Sequence, residues 1–248
     1  MTVTVQQVLD ELRRFAPPEL AQDWDNVGLL VDAGRPVTGV LTALDITAEV
    51  VQEAAALGCE LIVAHHPVIF HPIKALAPGD VPALLVQKGI SAICMHTNLD
   101  AAEGGVNDTL AAILGMRDTR SFADGCGRIG TVDETSAAAL AAFCQKTLGP
   151  GVHYVEAGRP VRCLAEVSGA GGSYWQEAMA LGADCLVTGE AAHHNGIDAK
   201  RCGFGLVVAG HWGTEHPIAA VLKDRLARAF PGLTVAAAAA DRDPYTYL

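Results

Sequence analysis

The sequence predicts an α/β fold whose two halves repeat one pattern. Three observations predict it. Short apolar runs alternate with segments of helical periodicity, which is the signature of strands separated by helices. A stretch of the first half matches one in the second: "EAAALGCELIVAHH" from Glu53 aligns with "EAMALGADCLVTGE" from Glu177, an offset of 177 − 53 = 124. A weaker match sets "GISAICMHTNLD" beside "GFGLVVAGHWGTE", at 203 − 89 = 114. Each half therefore offers helix, strand and polar turn twice over. Recurrence of A-L-G as a plain helix-end signal is the simpler account of the match, and it still leaves several strands ending in polar residues.

The elements follow in order along the chain. "VQQVLDELRRFAP" has helical spacing and stops at Pro17-Pro18. "AQDWDNVGLLV" offers Trp24, Asp25, Asn26 and Gly28 as a candidate functional segment; its plainer reading is an N-V-G turn with acidic neighbours, with Trp24 in the core. "VTGVLTALDIT" is strand-like; "TAEVVQEAAALG" is a helix that Thr47 can cap and Gly58 can end. "CELIVAHHP" is a strand, "VPALLVQKG" a short helix opened by Pro82, and "ISAICMHTNLD" another strand. "VNDTLAAILG" is a helix with its cap at Asn107.

In the second half "SAAALAAFCQKTLG" is a helix and "PVRCLAEVSG" a strand. "SYWQEAMALGA" and "DCLVTGE" form a helix and a strand, as do "AHHNGIDAKRCG" and "FGLVVAGH". "PIAAVLKDRLARAF" is the last long helix; the alanine-rich run after it reads as strand or loop, and Asp243-Pro244 as a turn.

Composition narrows the function classes. Half of the 248 residues are hydrophobic and 18% are charged, so the chain is globular with length to bury a core. No apolar run reaches the roughly 18 residues of a membrane span, and "MTVTVQQVLDELRRF" has no secretory pattern, so the cytoplasm is expected. A net charge of −11 argues against broad nucleic-acid binding. The seven cysteines are scattered, never spaced C-x-x-C, and most read as reduced core residues.

Three polar clusters follow apolar strands. They are His65-His66; His96, Asp100 and Glu103; and His211, Glu215 and His216. Imidazole and carboxylate without thiolate suits zinc, iron, manganese, cobalt or nickel. In the third cluster Thr214 can cap the following helix, with His211 at the strand end and Glu215 at the helix start. Singly, each residue has a plainer reading as a turn, a satisfied polar group or a helix-dipole partner. Five candidate ligands (His65, His66, Asp100, His211, Glu215) exceed the three of a mononuclear catalytic zinc site and so favour two ions. "VTGEAAHHNG" adds Glu190, His193 and His194, either as an ordinary connection or in a ligand-supporting or acid/base role.

With these residues placed, the chain resembles the Nif-three-like dinuclear metal-centre proteins, homologues of GTP cyclohydrolase I type 2. The stretches that carry the likeness are "DWDNVGLLV", "LIVAHHPVIF", "HTNLDAAEGGVND", "LVTGE" and "AGHWGTE", in family order, with "DRDPYTYL" at the end. The resemblance implies that His65, His66, Asp100, His211 and Glu215 ligate two divalent metal ions, Glu215 bridging. It also implies two interlinked α/β lobes with the metal site at strand ends between them, approximately residues 1–126 with 237–248 and residues 127–236, and a toroidal homohexamer. Trp212 stands where relatives often have a small or ring residue.

The cyclohydrolase label implies a hydrolase acting on GTP or a similar compound through metal-activated water, with His96, Glu190 or His194 moving protons. No G-x-x-x-x-G-K-[ST] phosphate loop specifies GTP. The rivals are a non-catalytic metal carrier or scaffold with the same ligands, and a metal-free nucleotide-binding protein.

Overall fold

A capping box starts the first helix. The Thr4 hydroxyl accepts the Gln7 N–H at 3.1 Å, and the Gln7 side chain accepts the Thr4 N–H at 2.9 Å. Such a cap contributes about 1 kcal/mol to a helix start. The computed structural model describes residues 2–248. Its elements are α1 (Val5–Phe15), β1 (Gly28–Val31), β2 (Gly39–Ala43), α2 (Ala48–Ala56), β3 (Leu61–Ala64), α3 (Val81–Lys88), β4 (Ser91–Cys94), α4 (Thr97–Ala101) and α5 (Val106–Ile113). They continue with β5 (Arg117–Phe122), β6 (Gly127–Thr135), α6 (Ala137–Thr147), β7 (His153–Val155), β8 (Val161–Val167), α7 (Trp175–Ala180), β9 (Cys185–Thr188) and α8 (His193–Arg201). The last are β10 (Gly205–Val208), α9 (His211–Glu215), α10 (Ile218–Ala229) and β11 (Thr234–Ala237). The α/β reading holds. Among the described residues no helix is long and apolar enough to cross a membrane.

The chain divides into two compact units. The first is Met1–Glu103 with Ile218–Arg242, and the second Gly104–Pro217 with Asp243–Leu248. These limits differ from the approximate ones read from the sequence: α10 belongs with the first unit because it packs on β2 and β11, and β5 with the second because it pairs with β6.

The first unit's sheet has the order β1-β4-β3-β2-β11. β11, β2, β3 and β4 run parallel, and β1 closes the edge antiparallel to β4. All of β2, β3 and β4 is buried, as expected for parallel strands. Leu41, Ile62, Val50, Val51, Leu85 and Ile90 form its core with residues of α2 and α3.

The second unit's sheet has the order β5-β6-β8-β9-β10-β7. Alternate residues feed two cores, one on each face. Leu164, Val187 and Val207 pack with Leu110 and Leu140; Ala165, Leu186 and Leu206 pack with Trp175, Ala178 and Phe204.

The internal repeat is structural. β2, β3 and β8, β9 correspond at the offset 124, since Val40 pairs with Leu61 and Leu164 with Cys185. β4 and β10 correspond at 114, because Leu61 pairs with Ser91 and Cys185 with Gly205. Gly58 and Gly182, one repeat apart, both turn through positive φ (70° and 94°), and a side chain is strained there. Even the supporting bonds recur. Glu60 Oε2 accepts the N–H groups of Thr38 and Gly39, and Asp184 Oδ2 accepts those of Arg162 and Cys163.

Several local expectations change. Asn107 does not cap α5: the helix starts at Val106 after Gly105, and the Asn107 amide oxygen instead accepts the Ser168 N–H at 2.9 Å. Thr214 does not cap α10. Gly210, at φ 87°, turns the chain early into α9, and the Thr214 hydroxyl lies inside that helix, bonded to the carbonyls of Gly210 and His211. Trp24 is not core, being 61% exposed. Cys59, Cys94, Cys144 and Cys185 are buried as expected, whereas Cys202 is exposed.

Candidate metal centre

In the first unit three neighbouring parallel strands end in polar residues, at the edge where α/β sheets bind ligands. Beyond β2 comes Asp45, beyond β3 His65 and His66, and beyond β4 His96. After Ala64 the backbone bends while still bonded to the end of β2 and the residue after it, His65 N–H to the Ala43 carbonyl and His66 N–H to that of Leu44. That bend brings two consecutive imidazoles together, their ring centroids 5.1 Å apart. In a continuing strand they would point to opposite faces.

Each ring is held by Nδ1. His65 Nδ1 donates to the Met95 carbonyl, His66 Nδ1 to Asp45 Oδ1 and His96 Nδ1 to Asp25 Oδ1, all at 2.8 Å. Donation through Nδ1 leaves the Nε2 lone pair available to a metal ion, the orientation that metal-binding histidines adopt. His65, His66 and His96 each offer a nitrogen, and the three lie within 4.8 Å of one another. Asp100, carried by α4, puts Oδ1 3.6 Å from His65 Nε2. Ligands at about 2.0–2.1 Å from a tetrahedral ion stand roughly 3.3 Å apart, so this set fits a transition metal.

Asp25 organises the entrance to this cluster. Its Oδ2 accepts the Thr97 N–H at 3.0 Å and the Thr97 hydroxyl, and its Oδ1 accepts the Asn26 N–H as well as His96. Burial alone would raise the Asp25 carboxyl, but hydrogen bonds from His96 and Thr97, with the charge of His96, hold it well below the usual carboxylate range. Cys94 is close by and donates its thiol to the His65 carbonyl at 2.9 Å. Burial, reinforced by Asp25 and Asp100, pushes that thiol well up, so it stays protonated and the candidate ligand atoms are nitrogen and oxygen.

The second unit presents a smaller set at the equivalent strand ends. His211 and Glu215 occupy one face of the one-turn helix α9, with His211 Nε2 3.0 Å from Glu215 Oε2. His211 Nδ1 faces Glu190 Oε1, also at 3.0 Å, just beyond β9. Gly169, beyond β8, completes the arrangement. Its N–H donates to the Thr214 hydroxyl, and its carbonyl accepts the Glu190 N–H. A Cβ on Gly169 would come within 2.1 Å of Glu215 Oε1, so only glycine lets the carboxylate lie there.

Of the residues picked out in the sequence, His65, His66, His96 and Asp100 gather in one unit, and His211, Glu215 and Glu190 in the other. His194 is exposed on α8, where it shares an open depression of about 480 Å³ with Glu190. Glu103 is exposed, and His216 stacks on Trp212 at 3.9 Å between ring centroids. The sequence reading picked out Asp25 without giving it a role, and missed Asp45 and Gly169. Asp45 follows a buried strand as the ligands do, a signal that could have found it.

The family model for Duf34/NIF3 (NGG1p interacting factor 3) matches residues 3–244. The chain belongs to the NIF3 family. Two relatives named GTP cyclohydrolase 1 type 2 homolog are similar along most of their length. The Lactococcus lactis protein is 35% identical over 87% of this chain and 88% of its own. That of Clostridium acetobutylicum is 30% identical over 91% and 90%. A hypothetical protein of Staphylococcus aureus, known from a crystal structure, superposes on the whole chain with TM-score 0.89 at 29% identity, covering 100% of both chains. The NIF3 family thus accounts for the fold, with two sheets and flanking helices.

Proposed function

We propose that this NIF3-family chain is a cytoplasmic metal-dependent hydrolase that holds two divalent ions. The ligands would be His65, His66 and Asp100 in the first unit and His211 and Glu215 in the second. GTP or another nucleotide-like compound is the substrate to test first. One observation carries the reading: His65, His66, His96 and His211 are each held through Nδ1 by an oxygen, an arrangement that turns Nε2 toward ligation and so supports it. The names of the curated relatives favour the same chemistry. Bound divalent ions supply Lewis acidity and lower the pKa of water.

The protein's own groups would do the rest. Asp25 and Asp45 fix the tautomers of His96 and His66. His96 either joins its neighbours as a ligand or carries a proton. Glu190 orients His211, and His194 is placed to exchange protons with solvent. The assembly we propose is the homohexamer that the family resemblance implies, which sedimentation mass checks.

A carrier that delivers its ions elsewhere is a second reading. It is favoured by the 24% and 35% exposure of the His66 and His211 side chains, which leaves both open to exchange. Metal analysis of protein purified without an affinity tag comes first, expected at about two ions per chain and fewer in His65→Ala and His211→Ala. Turnover of GTP by the loaded protein, abolished in Asp100→Ala and Glu215→Ala, separates hydrolase from carrier. Metal transfer without turnover of any nucleotide would leave the carrier reading; no retained metal would end both.

A further inference from the structure

Two large aromatic side chains stand in the open beside the first unit's imidazoles. Trp24 is 61% exposed and Phe70 is 41% exposed. Their ring centroids are 5.9 Å apart, and both approach His96, at 6.2 Å and 6.4 Å. Folding ordinarily buries such side chains, since each carries 150–250 Å² of mostly apolar surface. A paired exposure next to chemistry-bearing residues is the informative exception.

Nor do the rings hang from loose loops. The Trp24 loop is fastened to the end of β4 by Asp25, which holds His96 and Thr97, and by the Gln22 N–H on the Thr97 hydroxyl at 3.0 Å. It is fastened to the Phe70 loop by the Asn26 amide, which donates to the Ile69 carbonyl at 2.6 Å. The bond that orients His96 therefore also holds the Trp24 backbone, and the Asn26 amide holds the Phe70 backbone to it.

We propose that Trp24 and Phe70 form a stacking platform that binds a planar heteroaromatic ring, of the size of a nucleobase, and positions it beside His96. The inference deepens the hydrolase reading and rests on it for the chemistry at His96. Geometry says how the ring would lie. Inserting it between Trp24 and Phe70 needs two van der Waals gaps of about 3.5 Å, some 7 Å in all, and the rings are 5.9 Å apart and tilted by 54°. The ligand ring therefore lies on the outer face of Trp24, the more exposed of the two, with Phe70 bracing the indole from the other side. Stacking of this kind tolerates different bases, because every base has a π face. Specificity for one ring would then come from polar groups around it, not from the platform.

The test is calorimetric titration of full-length protein, as purified and after chelator treatment, with guanosine 5′-monophosphate, cytidine 5′-monophosphate and ribose 5-phosphate. Both nucleotides should bind wild type at least about tenfold more tightly than ribose 5-phosphate, with or without metal. Trp24→Ala should weaken nucleotide binding by about 5- to 100-fold and leave ribose 5-phosphate unaffected. Trp24→Tyr should stay close to wild type, and Phe70→Ala should fall between. Trp24 is a surface residue, and circular dichroism verifies that each variant folds.

Equal affinities for ringed and ringless phosphates would overturn the proposal, as would equal losses in Trp24→Ala and Trp24→Tyr. So would nucleotide-independent dissociation of the assembly in Trp24→Ala, which would make the aromatic pair a contact between copies. Ring binding without turnover would sink the hydrolase reading alone. Turnover of a ringless phosphoester, without ring binding, would sink the platform alone.

Discussion

His96 Nδ1 stands 2.8 Å from Asp25 Oδ1, and the pair joins residues 71 positions apart in the chain. One carboxylate thereby chooses the tautomer of an imidazole and ties the loop before β1 to the end of β4. Asp25→Asn keeps the shape and removes the charge. Replacing such a partner typically costs 10–100-fold in metal affinity. With His96 among the ligands, Asp25→Asn should bind metal about 10–100-fold more weakly at unchanged helix content, as read by competition with a chromogenic chelator. Unaltered affinity would mean that His96 and its partner stand outside the ligand set.

Gly169 makes a sharper test, because a single methyl group should reach a carboxylate. Its φ is 56°, and an added Cβ would lie 2.1 Å from Glu215 Oε1. Strain and displacement together should destabilise Gly169→Ala by about 1–3 kcal/mol and lower the metal content. Gly58→Ala is the control. It imposes the same kind of positive φ, 70°, with nothing within 4 Å of the new atom. Metal analysis of both variants beside wild type should show a loss in Gly169→Ala only; equal loss in the two would reduce the effect to general instability.

The sequence made the parallel strands legible because each is a short, wholly buried run bounded by a helix end and a polar turn, as in "LIVA" and "CLVT". It hid β5, where five of six residues are exposed, and β7, which is three residues long. It also hid α4 and α9, single turns too short for any periodicity. Among site residues the histidines announced themselves by type. Asp25 stood out only as an acid beside a turn: its role lies in a contact 71 residues away that no local pattern reports. Gly169 was equally silent, since its role is the room it leaves for Glu215.

The repeated carboxylate staple predicts a pH effect. Burial raises the Glu60 carboxyl, but the backbone N–H groups of Thr38 and Gly39 and the Thr38 hydroxyl outweigh it and lower it below its ordinary value of 4.5. With the folded value depressed, the contribution of Glu60 to stability is complete above the ordinary carboxylate range. It is lost as pH falls through the folded value. Glu60→Gln should therefore melt below wild type at pH 7, and the gap should close as pH drops below about 4. Thermal melts of both proteins between pH 3 and 7 check this; a gap that widened on acidification would reverse the assignment.

Glu190 and His194 were grouped by sequence as acid/base candidates, yet their surroundings separate them. Glu190 Oε1 faces His211 Nδ1 at 3.0 Å, so losing its charge should loosen a metal ligand before it touches any proton transfer. His194 belongs to α8 and lines the open depression with Glu190. Removing its imidazole should leave ligation alone. The two substitutions therefore predict different patterns. Glu190→Gln should lower metal affinity about tenfold or more, with the turnover it loses largely recovered at saturating metal. His194→Ala should keep wild-type metal content and lose turnover that added metal does not restore, by the 10²–10⁴-fold typical of general acid–base groups if it carries the proton. Metal titrations run beside initial rates at saturating metal give both readouts. Full activity in His194→Ala would remove that residue from the mechanism, and a rate deficit in Glu190→Gln that persists at saturating metal would return Glu190 to the role of proton carrier.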